Sequence, residues 1–266
     1  MTVGVSTASL FLRQDNEDAV ATLNAMGVPV AEVFLTSFGE YSPSFAQLLS
    51  QRKGGLSIHS VHVLNTQIEP QLFNAHARVQ KDSYAILGDV MQSAQILGAK
   101  YYTFHGGARF KKSSRNPEND NFPRLGECIG RAFDFCKSYG VTLCLENVEW
   151  STYNRPGVFS EIRRHVPELK GVLDIKQARL SGFGYEQYLN EMGENIATVH
   201  LSDVRENGKM CLPGQGIFDF ETLLKQLKDV GYHGPLLIEA YKDDYNKEQE
   251  LQISCEYLQE ILYKMK

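Results

Sequence analysis

The chain has 266 residues, 42% hydrophobic and 22% charged, enough apolar material for one large α/β domain or two small ones. A formal charge of −5 without a basic tail argues against a nucleic-acid partner, and no run approaches the roughly 18 apolar residues of a membrane span. Five cysteines without a CxxC pair, behind an N-terminus with no basic leader, read as reduced thiols in a soluble cytoplasmic protein.

In chain order, strands are expected at residues 3–5, 31–35, 56–63, 101–105, 141–147, 171–174, 196–201 and 236–240. Helical patterns fall between them at 77–97, 124–139, 159–165, 183–192 and 220–230, with a last helix over 247–263. Gly27, Gly98, Gly140, Gly171 and Gly231 stand where a helix should end and turn into the next strand. Eight such strands are the number a closed barrel needs, so the expected fold is a single α/β (β/α)8 TIM barrel over residues 1–266. A doubly wound open sheet is the alternative, although the first strand lacks the GxGxxG turn of its dinucleotide-binding version. The longest aperiodic stretch, 106–123, follows the fourth strand and reads as either a substrate-contacting lid or a solvated excursion.

Four apolar runs end in a side chain able to hold a metal: Glu146, Asp174, His200 and Glu239, separated by 28, 26 and 39 positions. Each interval accommodates a loop, a helix and another loop. In a parallel barrel the carboxyl ends of the strands share one face, so the four could converge. Three carboxylates and one imidazole make a hard, oxygen-rich set suited to a divalent ion, Mn²⁺ first, with Mg²⁺, Co²⁺ or Zn²⁺ as alternatives. Alternation places Thr142 and Cys144 inward beneath Glu146, and Leu143 and Leu145 against the helices. Each acid alone reads equally well as a helix N-cap or a surface group. Their joint placement favours a site.

The strings "IHSVHVLN", "FHGG", "LENV", "LDIKQA", "VHLSD", "LPGQGIFDF" and "LLIEAY", in this order, resemble the xylose isomerase-like TIM barrel superfamily. That group contains sugar (phosphate) isomerases and epimerases as well as endonuclease IV of the AP endonuclease family 2. The resemblance implies one divalent ion held by Glu146, Asp174, His200 and Glu239. It further implies that Glu146 and Glu239 act as catalytic base and acid on opposite sides of a small carbohydrate, through an enediolate. The expected activity is metal-dependent isomerisation or epimerisation in carbohydrate metabolism, without a membrane or nucleic-acid partner, and with a homo-oligomer left open.

The motifs put His59, His105, Lys176, Gln177 and Arg205 forward as substrate-binding residues. His62 is read as a wall or surface residue, because three positions place it across the strand from His59. Glu32 reads as a second-strand acid or half of a buried ion pair, and Trp150 and Phe110 as apolar walls or core. Asp219 is the expected N-cap of the helix that follows it. The chain departs from the endonuclease branch, whose three zinc ions need more ligands. Gln177 stands where that branch has a His, and Gly208-Lys209-Met210 replaces its Asp-x-His. An inosose-type dehydratase, which also begins with proton abstraction, is the first competing activity; a phosphodiester endonuclease and a non-catalytic binding barrel follow.

Overall fold

The computed structural model describes residues 1–64, 68–107 and 121–265. Eight parallel strands close into a barrel in the order β1-β10-β7-β6-β5-β4-β3-β2. They are β1 (Thr2–Ser6), β2 (Val30–Leu35), β3 (Ser57–Val63), β4 (Tyr101–Phe104), β5 (Thr142–Glu146), β6 (Lys170–Asp174), β7 (Ile196–Leu201) and β10 (Pro235–Ile238). Between β7 and β10, the two-residue strands β8 (Asp203–Val204) and β9 (Met210–Cys211) pair as an antiparallel hairpin outside the barrel. The barrel expected from the eight apolar runs is therefore present.

The helices are α1 (Asn16–Ala25), α2 (Pro43–Arg52), α3 (Ala77–Leu97), α4 (Phe122–Ser138), α5 (Val158–Arg163), α6 (Ile175–Ser181), α7 (Tyr185–Met192), α8 (Phe220–Asp229) and α9 (Gln249–Lys264). Of these, α1, α2 and α6 were not foreseen. The inward residues of α1 include Asn16 and Ala19, a weak apolar stripe. Pro43 looks like a breaker but occupies the first turn of α2, where its missing N–H costs nothing, behind the Ser42 cap. Asp219 caps α8 by accepting from Thr222 N, as expected.

Leu143, Leu145, Val199, Leu236 and Ile238 join the large core beneath the helices, whereas Cys144, Val172 and Ala197 form a small separate cluster with Tyr101. This division matches the expected alternation on β5 and β10 but not on β7, where the irregularity puts Ala197 in the inner cluster and Ile196 in the outer core. Each fully buried Leu contributes about 1.5–3 kcal/mol of transfer free energy, so the outer layer dominates stability. Gly27, Gly98, Gly140 and Gly231 have positive φ at helix ends. Gly171 does not. It lies inside β6, where a Cβ would meet Met192 Sδ at 2.7 Å, so its smallness serves packing rather than a turn.

Two bulges adjust the bore. Ala31 pairs with Ile58 but Glu32 pairs with Ser60, which leaves His59 as the extra residue of β3. A second irregularity sits between Gly171 and Val172 on β6, opposite Ile196 and Thr198 of β7. A bulge re-aims the residues that follow it, and the first one turns His62 to the bore along with His59. Among the described residues no helix is long and apolar enough to cross a membrane.

Candidate active site

The four expected ligands meet at the carboxyl end of the barrel. His200, in register with Asp174 on β6, lies at the centre. Its Nδ1 donates to Glu146 Oε1 at 2.8 Å and stands 2.9 Å from Glu239 Oε2, while its Nε2 is 3.1 Å from Glu32 Oε1. Glu239 follows the last residue of β10 and is fixed by its own N–H, which donates to Leu201 O. Asp174 is anchored to the tip of β5 by a reciprocal pair: its N–H donates to Asn147 Oδ1 at 2.8 Å, and Asn147 Nδ2 donates to its carbonyl at 2.7 Å. Asp174 also caps α6 through Oδ1, so the N-cap reading of this acid holds beside its place in the cluster.

Glu32 is fully buried beneath His200 and accepts from Ser6, Ser60 and Thr103 hydroxyls. Such a carboxylate is held ionised by its donors and by the imidazoles it faces. Burial alone would raise its pKa, but His200 and His62 bring it well below the usual carboxylate range. Glu146 and Glu239 are depressed in the same way, with burial opposed by His200. His200 is driven far above its ordinary value because Glu239, Glu32 and Glu146 overcome the burial that opposes its charge. Asp174 goes the other way. Burial and the neighbouring charges of Glu146 and Glu239, set against Lys176, push it up to about 7.

His105 faces the same centre, with Nε2 3.3 Å from Glu146 Oε2 and Nδ1 3.1 Å from Glu69 Oε2. Burial opposes its charge, yet Glu69 and Glu146 lift its pKa to about 10. Glu69 was missed by sequence reasoning. It is buried in a 3-10 turn (Glu69–Phe73) and accepts from Tyr102 OH and from the N–H groups of His105 and Gly106. No local pattern marks it, since its partners lie more than 30 positions away in sequence.

His62, not His59, enters the site. Its Nε2 is 2.8 Å from His105 Nε2, and its Nδ1 is 3.3 Å from Glu32 Oε1. His59 sits at the opposite end of the barrel, donating from Nε2 to Thr198 Oγ1 and Ala197 O and stacking on Tyr101. The bulge at His59 turns both histidines to the bore, where unbroken alternation would oppose them, and their places along β3 separate them, His59 near its start and His62 near its end. Arg205 is also elsewhere. It is exposed on the β8–β9 hairpin and donates to the carbonyl and side chain of Gln215.

Lys176 is buried, 3.9 Å from Glu239 Oε1 and 3.8 Å from the centre of the Tyr241 ring. Gln177 donates to Tyr241 OH and accepts from Glu149 N, bridging two rim loops. Above these groups opens a cavity of about 430 Å³, walled by Phe11, Leu12, Phe34, Trp150 and Tyr241 and floored by Glu146 and Glu239. Trp150 stacks on His105 with one face left exposed. Phe110 and residues 108–120 of the expected lid lie outside the described residues.

The donor set fits a cation. Three groups of His and carboxylate atoms lie within 4.8 Å of one another: Glu146, Asp174 and His200; Glu32, His200 and Glu239; and His62, His105 and Glu146. Among the described residues, Asp174 Oδ2, Glu239 Oε2, His200 Nε2 and His62 Nδ1 are buried without an aligned hydrogen-bond partner. Orphaned lone pairs around mutually repelling carboxylates are what a divalent ion would satisfy.

The family model described as xylose isomerase-like TIM barrel matches residues 18–261, so the chain belongs to that family. Uncharacterized protein MJ1188 of Methanocaldococcus jannaschii is 24% identical over 221 residues, covering 79% of this chain and 75% of that one. A probable endonuclease 4 of Phocaeicola vulgatus is 23% identical over 251 residues, 85% and 86% of the two chains. Among solved structures, a D-tagatose 3-epimerase-like protein superposes with a TM-score of 0.79 at 19% identity, covering 99% and 97%. A D-psicose 3-epimerase of Clostridium cellulolyticum H10 gives 0.78 at 16%, covering 98% and 99%.

Proposed function

We propose that this protein is a divalent-metal-dependent sugar or sugar-phosphate isomerase or epimerase. The observation that carries the reading is the pairing of Glu146 and Glu239 on one imidazole, at 2.8 and 2.9 Å, on the floor of the cavity. Glu146, Asp174, His200 and Glu239 are the residues that would hold the ion. When bound, it supplies Lewis acidity that polarises a substrate carbonyl and acidifies the adjacent C–H. Solved folds named as tagatose, psicose and ribulose 3-epimerases support this class of substrate.

The chain's own groups divide the remaining work. A carboxylate held ionised by buried donors removes a proton from carbon, and Glu146 and Glu239 both qualify. The one that is not the base must enter the step protonated and gives its own proton from the other side of the bound sugar, so the two carboxyls finish with exchanged protonation states. Delivery to the opposite face of the same carbon gives epimerisation; delivery to the neighbouring carbon gives isomerisation. Lys176, packed on Glu239, keeps that carboxylate ionised until it accepts the proton. Protonated His105 donates toward a substrate oxygen, and Trp150 offers an apolar face to the ring. The apolar walls exclude bulk water that would quench the carbanionic intermediate.

A phosphodiester endonuclease is the second reading, favoured by the Phocaeicola relative and by the His62–His105–Glu146 group. Gln177 and the exposed hairpin around Lys209 supply no further ligands for it. The test is a screen of ketoses and ketose phosphates with Mn²⁺ in deuterated water. Deuterium should enter at carbon with wild type, and Glu146→Gln or Glu239→Gln should lower exchange at least about 10³-fold while folding normally. Wild-type-like exchange in either variant defeats the assignment. Water loss from a cyclic polyol marks the dehydratase instead, and Zn²⁺-dependent nicking of abasic duplex marks the nuclease.

A further inference from the structure

A second chamber of about 480 Å³ opens beside the site, between the tips of β6 and β7, and shares no lining residue with the cavity over Glu239. Its polar lining comes from residues that directly continue the ligand strands. Lys176 lies two positions beyond Asp174, and Ser202 two beyond His200. Ser202 is 2% exposed, and its Oγ has no hydrogen-bond partner among the described residues. A buried hydroxyl without a partner costs about 1–3 kcal/mol, so a ligand or a water that bonds to it is favoured there.

Arg179 stands at the chamber's edge, exposed, and its guanidinium has no hydrogen bond or ion pair among the described residues. Lys176 also lines the wall, but its ammonium is turned to Glu239 and the Tyr241 ring in the neighbouring cavity, which leaves Arg179 as the cation of this chamber. One acid also lines the space. Asp203, however, spends its carboxylate on the backbone N–H groups of Val204, Gly214, Gly216 and Phe218, which neutralise its field locally. The rest of the lining is apolar, including Phe183 and Phe218. A guanidinium and an unfilled hydroxyl donor above an apolar floor suit a small oxyanion on a carbon chain.

We propose that this chamber is an oxyanion site, taking a phosphate or carboxylate group through Arg179 and Ser202. The anion comes either from the distal end of the substrate, a source that rests on the function proposed above, or from a free small anion. The site itself does not depend on that function.

Inorganic phosphate titrated into the full-length protein, followed by ³¹P NMR, tests it. Wild type should bind saturably, and Arg179→Ala should weaken binding about tenfold or more. Ser202→Ala should weaken it too while melting no lower than wild type, because it removes an unsatisfied group. No saturable binding in wild type, or binding undiminished in Arg179→Ala, overturns the proposal. A kinetic arm separates the sources. Phosphate competing with a ketose phosphate, but not with the free ketose, identifies the substrate's own end; phosphate that binds without competing identifies a free anion. If no sugar turns over, the proposed activity fails, while the phosphate titration still decides the chamber.

Discussion

At the scale of single residues, protonation governs how readily the site takes up an ion. His200, far above its usual range, carries a proton at neutral pH, and Asp174, at about 7, is half protonated there. Both must give up that proton to become ligands, so falling pH opposes loading. Manganese affinity should rise between pH 6 and 8, with about one to two protons released per ion. Calorimetry in buffers of different ionisation enthalpy measures this, and a pH-independent affinity would refute it. Glu69 invites a second test. Glu69→Gln removes the charge that helps keep His105 at about 10, so the His105 ring should titrate nearer its ordinary value by NMR, at a cost of about 1–3 kcal/mol in stability. An unmoved titration would show that Glu146 suffices alone. The strand-end cluster of Glu146, Asp174, His200 and Glu239 was legible in sequence because each closes an apolar run. Glu69 was not, because it reaches Tyr102 and His105 from a turn with no periodicity of its own.

At the scale of elements, the barrel was readable from strand count and spacing, whereas its bulges were not. His62 was misread because one extra residue in β3 breaks the period of two and turns it inward along with His59, and nothing in "SIHSVHV" announces it. Close strand packing offers a direct check. A Cβ on Gly4 of β1 would lie 2.1 Å from Val30 O, a backbone atom that cannot swing aside. Gly4→Ala should therefore destabilise the barrel by about 1–3 kcal/mol, seen as a lower Tm, and a neutral substitution would contradict this packing. The rim behaves as one piece for a similar reason. Arg13 donates to the carbonyls of Lys242, Tyr245 and Asn246 and lies 3.9 Å over the Tyr245 ring, tying the loop of Phe11 and Leu12 to the loop of Tyr241. Arg13→Ala should raise KM more than it lowers kcat, since the walls loosen while Glu146 and Glu239 stay in place. A loss confined to kcat would contradict that role.

At the scale of the whole molecule, the strain of the site is electrostatic. Four buried carboxylates, Glu32, Glu146, Asp174 and Glu239, surround one another at the end of a barrel whose stability comes from its apolar layers. An ion that binds only the folded chain stabilises it by mass action, about 2.7 kcal/mol at a hundredfold excess over Kd. For a chain of this size that corresponds to a rise of about 5–11 °C in Tm, reversed by a chelator. The measurement that bears most directly on the central claim is anomalous diffraction from a crystal soaked in Mn²⁺. A single strong peak within coordination distance of Glu146, Asp174, His200 and Glu239 is the predicted result. A peak held by other residues, or none while these four side chains keep their present positions, would contradict it.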